Sequence, residues 1–345
     1  MKGTQIFLDH IDGREAAALV VDGRLEDLFV DSDAFAPGTI FRAKVDRPVK
    51  GQGGVFVTFP EGRGFLRQIK GVSGGQNILV QVSGYAEDGK AIPVTTKLLF
   101  KSRYVIITPD APGLNLSRSI RDEDLRDALL EYIHDGLAPL SYGIILRSSC
   151  ATADFDDVLD DARTMLDLVK VVLEDDASDP CLLLSADSPH QMAWREWTTA
   201  ASVEQDAGCF QSGGVLDMTD ALGASLVPMN AGSYFIEQTR ALCAIDVNTG
   251  ADGSLAAGLK ANIAMARDLP RQLRLRGIGG QIVIDPAPMP KKDRKLLDSV
   301  LKAAFRNDDV QTHILGWTAL GLSERQRART RAPRNLEGKA GGQKP

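Results

Sequence analysis

The last third of the chain runs strand, helix, strand, helix, strand, and this order restricts the possible folds more than any other feature. The segments are SYFIEQTRALCAID (233–246), SLAAGLKANIAMARDLPRQLRLR (254–276), QIVIDP (281–286), KKDRKLLDSVLKAAFRN (291–307) and VQTHILGW (310–317). Two strands joined through a helix lie parallel with a crossover. Their C-terminal ends therefore meet at one edge of the sheet, where α/β proteins place their sites. Both strands end in a carboxylate: ALCAIDVNTG (241–250) at Asp246 and GQIVIDPAPM (280–289) at Asp285. On neighbouring strands the two backbones lie about 5 Å apart, near enough for one ion to be held by both side chains.

Taken singly, an aspartate at a strand end serves as well to cap the turn or helix that follows. Taken as a pair across a crossover, beside the basic helix end RQLRLRG (271–277), Asp246 and Asp285 read as a metal site. Magnesium takes oxygen ligands, keeps several waters and needs only one or two protein carboxylates. Such an ion polarises phosphoryl oxygens and orients a water for in-line attack. Asn248 either supports Asp246 through an amide hydrogen bond or faces a phosphate. The basic helix end also has a plainer reading, as the dipole partner of its own C-terminus.

Upstream, residues 36–105 read as five short β segments: GTIFRAKVDRP, GGVFVTF, GRGFLRQI, QNILVQVSG and AIPVTTKLLF. Gly, Pro and Asp separate them, the pattern of a small barrel. A helix is expected over RDEDLRDALLEYIHDG (121–136), a strand at YGIILRSS (142–149) and a second helix over DFDDVLDDARTMLDLVKVVLE (154–174), which opens with acids at its positive end. The start of the chain alternates like a strand pair, and residues 180–232 are Gly/Ser-rich and yield few firm elements. The basic end of the chain is expected to be disordered over its last dozen residues.

Charge is distributed unevenly, and the net value of −6 conceals it. Residues 36–105 carry eleven Lys/Arg against four Asp/Glu, residues 119–180 five against sixteen, and residues 267–345 seventeen against eight. The acidic block reads as a solvated face, whereas the two basic blocks suit a polyanion. Within the barrel, Phe56, Phe65 and Lys90 are candidates for stacking on single-stranded nucleic acid and holding its backbone, although a phenylalanine in a small barrel is often core. Four scattered cysteines form neither a disulfide framework nor a zinc pattern. No apolar run approaches the roughly 20 residues of a membrane span, and no signal peptide is apparent, so a cytoplasmic location is expected.

The ordered motifs GFL (64–66), LRSS (146–149), AIDVN (244–248), RQLRLRGIGGQIVID (271–285) and LGLSERQRARTR (320–331) resemble the ribonuclease E/G family along nearly the whole chain. The resemblance implies that Asp246 and Asp285 are the family's magnesium-binding aspartates, with Mn²⁺ the alternative ion, and that Asn248 supports the first. Phe56, Phe65 and Lys90 then fall where the family's barrel contacts RNA. Arg118, Arg147 and Ser148 match the pocket that reads a 5′ monophosphate. The implied fold is a multi-subdomain α/β protein. An RNase H-like layer (1–35, with a shortened second part at 181–222) encloses an OB-type RNA-binding barrel (36–105) and a 5′-end sensor (106–180). A DNase I-like βαβ catalytic subdomain (223–333) and a basic tail (334–345) follow.

The implied activity is endonucleolytic cleavage of single-stranded RNA to 5′-phosphate and 3′-hydroxyl ends, in RNA processing or decay. The chain departs from the family pattern in four places. The second acid of D-F-I-D-M is Pro288 here, Ser148 replaces a threonine, 181–222 is short, and no C-P-x-C pair follows RTRAP. No zinc is therefore expected, nor a zinc-linked tetramer or a long C-terminal scaffold, which leaves a monomer or dimer. Pro288 and the short segment also suit an alternative, an RNA-binding member with weak or no cleavage.

Overall fold

The computed structural model describes residues 3–48, 51, 53–67, 71–199 and 201–334. These fall into two compact units, one drawn from 1–31 and 201–345, the other from 32–200. The chain opens on a meander of β1 (Thr4–Ile11), β2 (Arg14–Val21) and β3 (Arg24–Val30). Its turns are Asp12-Gly13 and Asp22-Gly23, with φ between 50° and 78° at all four residues. Type I′ hairpins demand that left-handed backbone, and Asp-Gly supplies it at low cost.

In the second unit β4 (Ile40–Val45), β5 (Val55–Phe59), β6 (Gly62–Leu66), β7 (Asn77–Val82) and β8 (Ile92–Thr95) are the five strands expected from the sequence. They close into a barrel in the order β4-β5-β6-β8-β7, with β7 pairing back to β4, and so fit an OB-type subdomain. Phe41 and Phe59 stack at its centre, ring centroids 4.1 Å apart. A separate sheet, in the order β11-β12-β10-β9, contains β9 (Phe100–Lys101), β10 (Val105–Thr108), β11 (Gly113–Leu116) and β12 (Gly143–Leu146). Helices α1 (Glu123–Leu137) and α2 (Phe155–Leu173) share its core. Each is capped by the aspartate before it: Asp122 accepts from the Leu125 N–H and Asp154 from the Asp156 N–H. Strand β13 (Cys181–Leu184) then pairs with β4, and α3 (Pro189–Glu196) ends the unit.

The first unit resumes with β14 (Ser202–Glu204), parallel to β1, and the short helices α4 (Cys209–Ser212) and α5 (Val215–Asp220). Residues 181–199 thus belong with the barrel unit and 201–222 with the opening meander, whereas the sequence grouped 181–222 together. The rest forms a six-stranded sheet ordered β15-β16-β17-β18-β20-β19. Its elements are β15 (Leu226–Met229), β16 (Gly232–Gln238), β17 (Cys243–Asn248), α6 (Leu255–Leu275), β18 (Gly280–Asp285), α7 (Arg294–Arg306), β19 (Thr312–Trp317) and β20 (Ser323–Arg327). The parallel pair β17–β18 with α6 between them is the crossover the sequence demands.

One expectation is corrected here. SYFIEQTRALCAID is an antiparallel hairpin, not one strand: β16 and β17 pair from Ser233↔Asn248 to Gln238↔Cys243. Thr239 makes the turn, its hydroxyl donating to the Leu242 carbonyl and accepting from the Ala241 and Leu242 N–H groups. The polar segment SERQR (323–327) is an element that its sequence does not announce. It forms β20 and inserts between β18 and β19, with Ser323, Arg325 and Arg327 at most 1% exposed. The tail beyond Arg334 lies outside the described residues.

Candidate active site

Strand alternation decides where the two aspartates point. In β17 the side chains of Cys243, Ile245 and Val247 are buried while Asp246 and Asn248 are exposed; in β18 Ile282 and Ile284 are buried and Asp285 is exposed. The buried set packs with Met265, Leu269, Leu297 and Leu301 of α6 and α7. Asp246, Asn248 and Asp285 therefore emerge on the opposite face, as side chains of period two must. Asp246 and Asp285 are register partners across the parallel pair, so their backbones are about 4.8 Å apart. The Asn248 amide donates to Asp246 Oδ2 at 3.0 Å, which fixes one carboxylate and leaves its other oxygen available.

This donor set suits a hard dication that keeps most of its water, because two carboxylates on one face fill at most part of an octahedron. Among the described residues no group of three or more His, Cys, Asp or Glu side chains is arranged to hold a metal. The oxygen pair on β17 and β18 is thus the arrangement to consider.

Behind Asp285 the loop is clamped by residues that sequence reasoning missed. Asn262 of α6, fully buried, donates to the Ala287 carbonyl and accepts from the Ala287 N–H, both at 2.9 Å. One turn earlier Gly258 lets the helix touch the same loop: a Cβ there would stand 1.9 Å from the Pro288 carbonyl oxygen. The signal was present in AGLKANIAMARDL, where Asn262 and Gly258 interrupt an apolar helical stripe. Pro288 itself is exposed.

The basic helix end is spent inside the unit. Asp268 accepts from Tyr234 Oη at 2.8 Å, Arg271 Nε at 3.0 Å and Gln272 Nε2 at 3.1 Å, and it also pairs with Arg24. Burial alone would raise the Asp268 carboxyl, but Arg271, the Tyr234 hydroxyl and Arg24 together hold it below its ordinary value. Arg274 reaches the Glu26 carbonyl, Asp27 and Asp308; Arg327 adds a 2.6 Å contact to Asp308, and Arg331 one of 2.9 Å to Asp27. Part of the third charge block, Arg271, Arg274, Arg327 and Arg331, is therefore internal structure rather than a free cationic surface.

On the barrel, Phe56 and Phe65 are outward register partners, absent from the buried core cluster. Their ring centroids are 5.2 Å apart, and the Arg63 guanidinium lies 4.0 Å over Phe56. Lys90 is exposed and pairs with Glu87 at 2.5 Å. In the α/β part of the same unit, β11 and β12 run parallel with Leu116 opposite Leu146, which brings Arg118 and Ser148 to one sheet edge, both exposed. Arg147 is engaged differently: it pairs with Glu196 and donates to the carbonyls of Ser102 and Arg195. Desolvation pushes the Glu196 carboxyl up, but Arg147 and Arg195 outweigh it and hold it below the usual range.

The model of the Ribonuclease E/G family matches residues 100–205 and 201–330 of this chain. Ribonuclease G of Escherichia coli (strain K12) is 25% identical over 398 residues, covering 95% of this chain and 80% of that protein. Ribonuclease G of Haemophilus influenzae is 26% identical over 402 residues, with 96% and 80% covered. Ribonuclease E of Synechocystis sp. is 25% identical over 377 residues, covering 91% of this chain and 55% of the longer protein. With the crossover, the paired aspartates and the barrel in place, the chain belongs to the ribonuclease E/G family.

Proposed function

We propose that this protein is a magnesium-dependent endoribonuclease that cleaves single-stranded RNA. The observation that carries the reading is the register pairing of Asp246 with Asp285 on one exposed sheet face, with the Asn248 amide holding the first. Asp246 and Asp285 would hold the ion, with Mn²⁺ an alternative; bound there, a dication supplies Lewis-acid activation of a phosphoryl oxygen and of water. Asn248 keeps Asp246 in one rotamer, and the Asn262 clamp keeps the loop after Asp285 from drifting. Water adds to phosphorus, the bond from phosphorus to the 3′ oxygen breaks, and the proton lost by water ends on that oxygen. The products carry 5′-phosphate and 3′-hydroxyl ends.

The barrel would hold the strand through Phe56, Phe65 and Lys90, while Arg118 and Ser148 engage a terminal phosphate by charge-assisted hydrogen bonds. In this reading the opening meander is RNase H-like, the six-stranded sheet DNase I-like, and the place of work the cytoplasm. The helices contain no segment long and apolar enough to cross a membrane among the described residues. Incubation of a 5′-monophosphorylated, AU-containing oligonucleotide with Mg²⁺, and with EDTA as control, tests the proposal. EDTA-sensitive fragments bearing 5′ phosphates are expected; fragments with 2′,3′-cyclic ends, or cleavage unaffected by EDTA, would refute it. A second reading, an RNA-binding member with weak cleavage, is favoured by exposed Pro288, which puts no carboxylate three residues after Asp285. Binding without any EDTA-sensitive product would select it.

A further inference from the structure

Trp194 on α3 is 68% exposed, whereas Trp197 is 8% exposed and Trp317 is half-buried. The indole is held in place all the same. The Arg103 guanidinium lies 4.1 Å from its ring centroid and donates to the Trp194 carbonyl. The helix beneath is fixed by a capping box between Ser188 and Gln191 and by Arg195, which pairs with Asp187 and with Glu196. One face of the ring is thus backed by a cation and the remainder faces solvent.

Its surroundings connect it to the terminal-phosphate candidates. Arg103 precedes β10, which pairs antiparallel with β12, so the Arg147 N–H donates to the Tyr104 carbonyl at 2.8 Å and Ser149 Oγ to the Arg103 carbonyl at 2.6 Å. With β11 on the far side of β12, one sheet edge carries Arg118, then Ser148, then Arg103 with Trp194 against it. That is a span of about two strand spacings, roughly 10 Å. Glu196 and Asp187 offset Arg147 and Arg195, so the local positive charge comes from Arg118 and Arg103, neither of which has an acidic partner among the described residues, and from Lys101 of β9, which lies in the field of Arg147 and Arg195.

We infer that Trp194, braced by Arg103, is a stacking subsite for a nucleobase close to the 5′ end of the bound RNA. The inference rests on the proposed ribonuclease function. A cation-backed indole accepts any base, because every base has a π-face, so the subsite would add affinity without sequence preference.

The test is binding of the full chain, in EDTA so that nothing is cut, to two 5′-monophosphorylated oligonucleotides. One is intact and the other abasic at its first two positions. Trp194→Ala is expected to weaken the intact oligonucleotide about tenfold, the measured worth of one stacked base. It should leave the abasic one unchanged, and Trp194→Phe should recover part of the loss. Equal affinity of wild type and Trp194→Ala for the intact strand, or equal losses on both strands, overturns the subsite. So does a change of mass by light scattering with RNA affinity unaltered, which would assign the indole to contact between copies. Wild-type protein that binds neither strand overturns the underlying function as well, a result distinct from failure of the subsite alone.

Discussion

Replacing Asn262 by alanine removes a side chain that touches neither metal nor RNA, yet it should impair the site. The amide is fully buried and makes two 2.9 Å hydrogen bonds to the backbone of Ala287, itself 2% exposed. Alanine leaves a buried N–H and a buried carbonyl unpartnered, at about 1–3 kcal/mol each, so Asn262→Ala should cost roughly 2–6 kcal/mol of stability before any relaxation. The chain regains part of that by letting residues 286–289 move outward to find water, and this displaces Asp285 relative to Asp246. Loss of a supporting partner typically weakens metal binding by about tenfold or more. Urea unfolding at fixed pH measures the first quantity, and Mg²⁺ titration of the cleavage rate the second. Asn262→Asp, which retains the acceptor and loses the donor, cannot satisfy the Ala287 carbonyl and should also lose stability. An Asn262→Ala protein with wild-type unfolding and wild-type Mg²⁺ dependence would refute the clamp.

Three further outcomes are expected. Gly258→Ala gains helix propensity worth about 1 kcal/mol, but its Cβ would stand 1.9 Å from the Pro288 carbonyl oxygen, so thermal melting should show a net loss; a raised melting temperature would contradict the close approach. Glu196→Gln releases Arg147 from its ion pair and should tighten binding of a 5′-phosphorylated over a 5′-hydroxyl oligonucleotide. Because the folded Glu196 carboxyl is depressed, its pairing stabilises the fold above the unfolded value of about 4.3 and is lost as pH falls through the lower folded value; acid unfolding of Glu196→Gln should accordingly show a shallower pH dependence below about pH 4. Arg325 is buried, its Nε and Nη2 lack hydrogen-bond partners, and its nearest acid, Asp298, stands 3.7 Å away and already accepts from Trp317. Arg325→Met should therefore leave the melting temperature unchanged or raise it, and a fall of many degrees would show that the charge is needed.

What could be read from the sequence follows from which forces leave a local mark. The crossover around Asp246 and Asp285 was legible because α6 and α7 carry apolar residues at helical spacing and β18 alternates, and because a helix between two strands has one handed solution. The five barrel strands were legible from their punctuation. β20 was not, since SERQR owes its burial to partners elsewhere: Arg327 to Asp308 and Thr312, Arg325 to its place beside α7. Polarity then reads as solvation. The β16–β17 turn was hidden because Ala241 and Leu242 continue the apolar run, and the bend comes from the Thr239 hydroxyl. In the same way nothing near Arg147 in the sequence announces Glu196, which is 49 residues away and claims its guanidinium.

Whether Asp246 and Asp285 share one ion can be asked of the protein without RNA. Calorimetric titration of Mn²⁺ or Mg²⁺ into the wild type, Asp246→Asn and Asp285→Asn should give one ion per chain for the wild type and at least tenfold weaker binding for either variant. Unchanged affinity in one of the two variants, with its fold intact, would contradict the account.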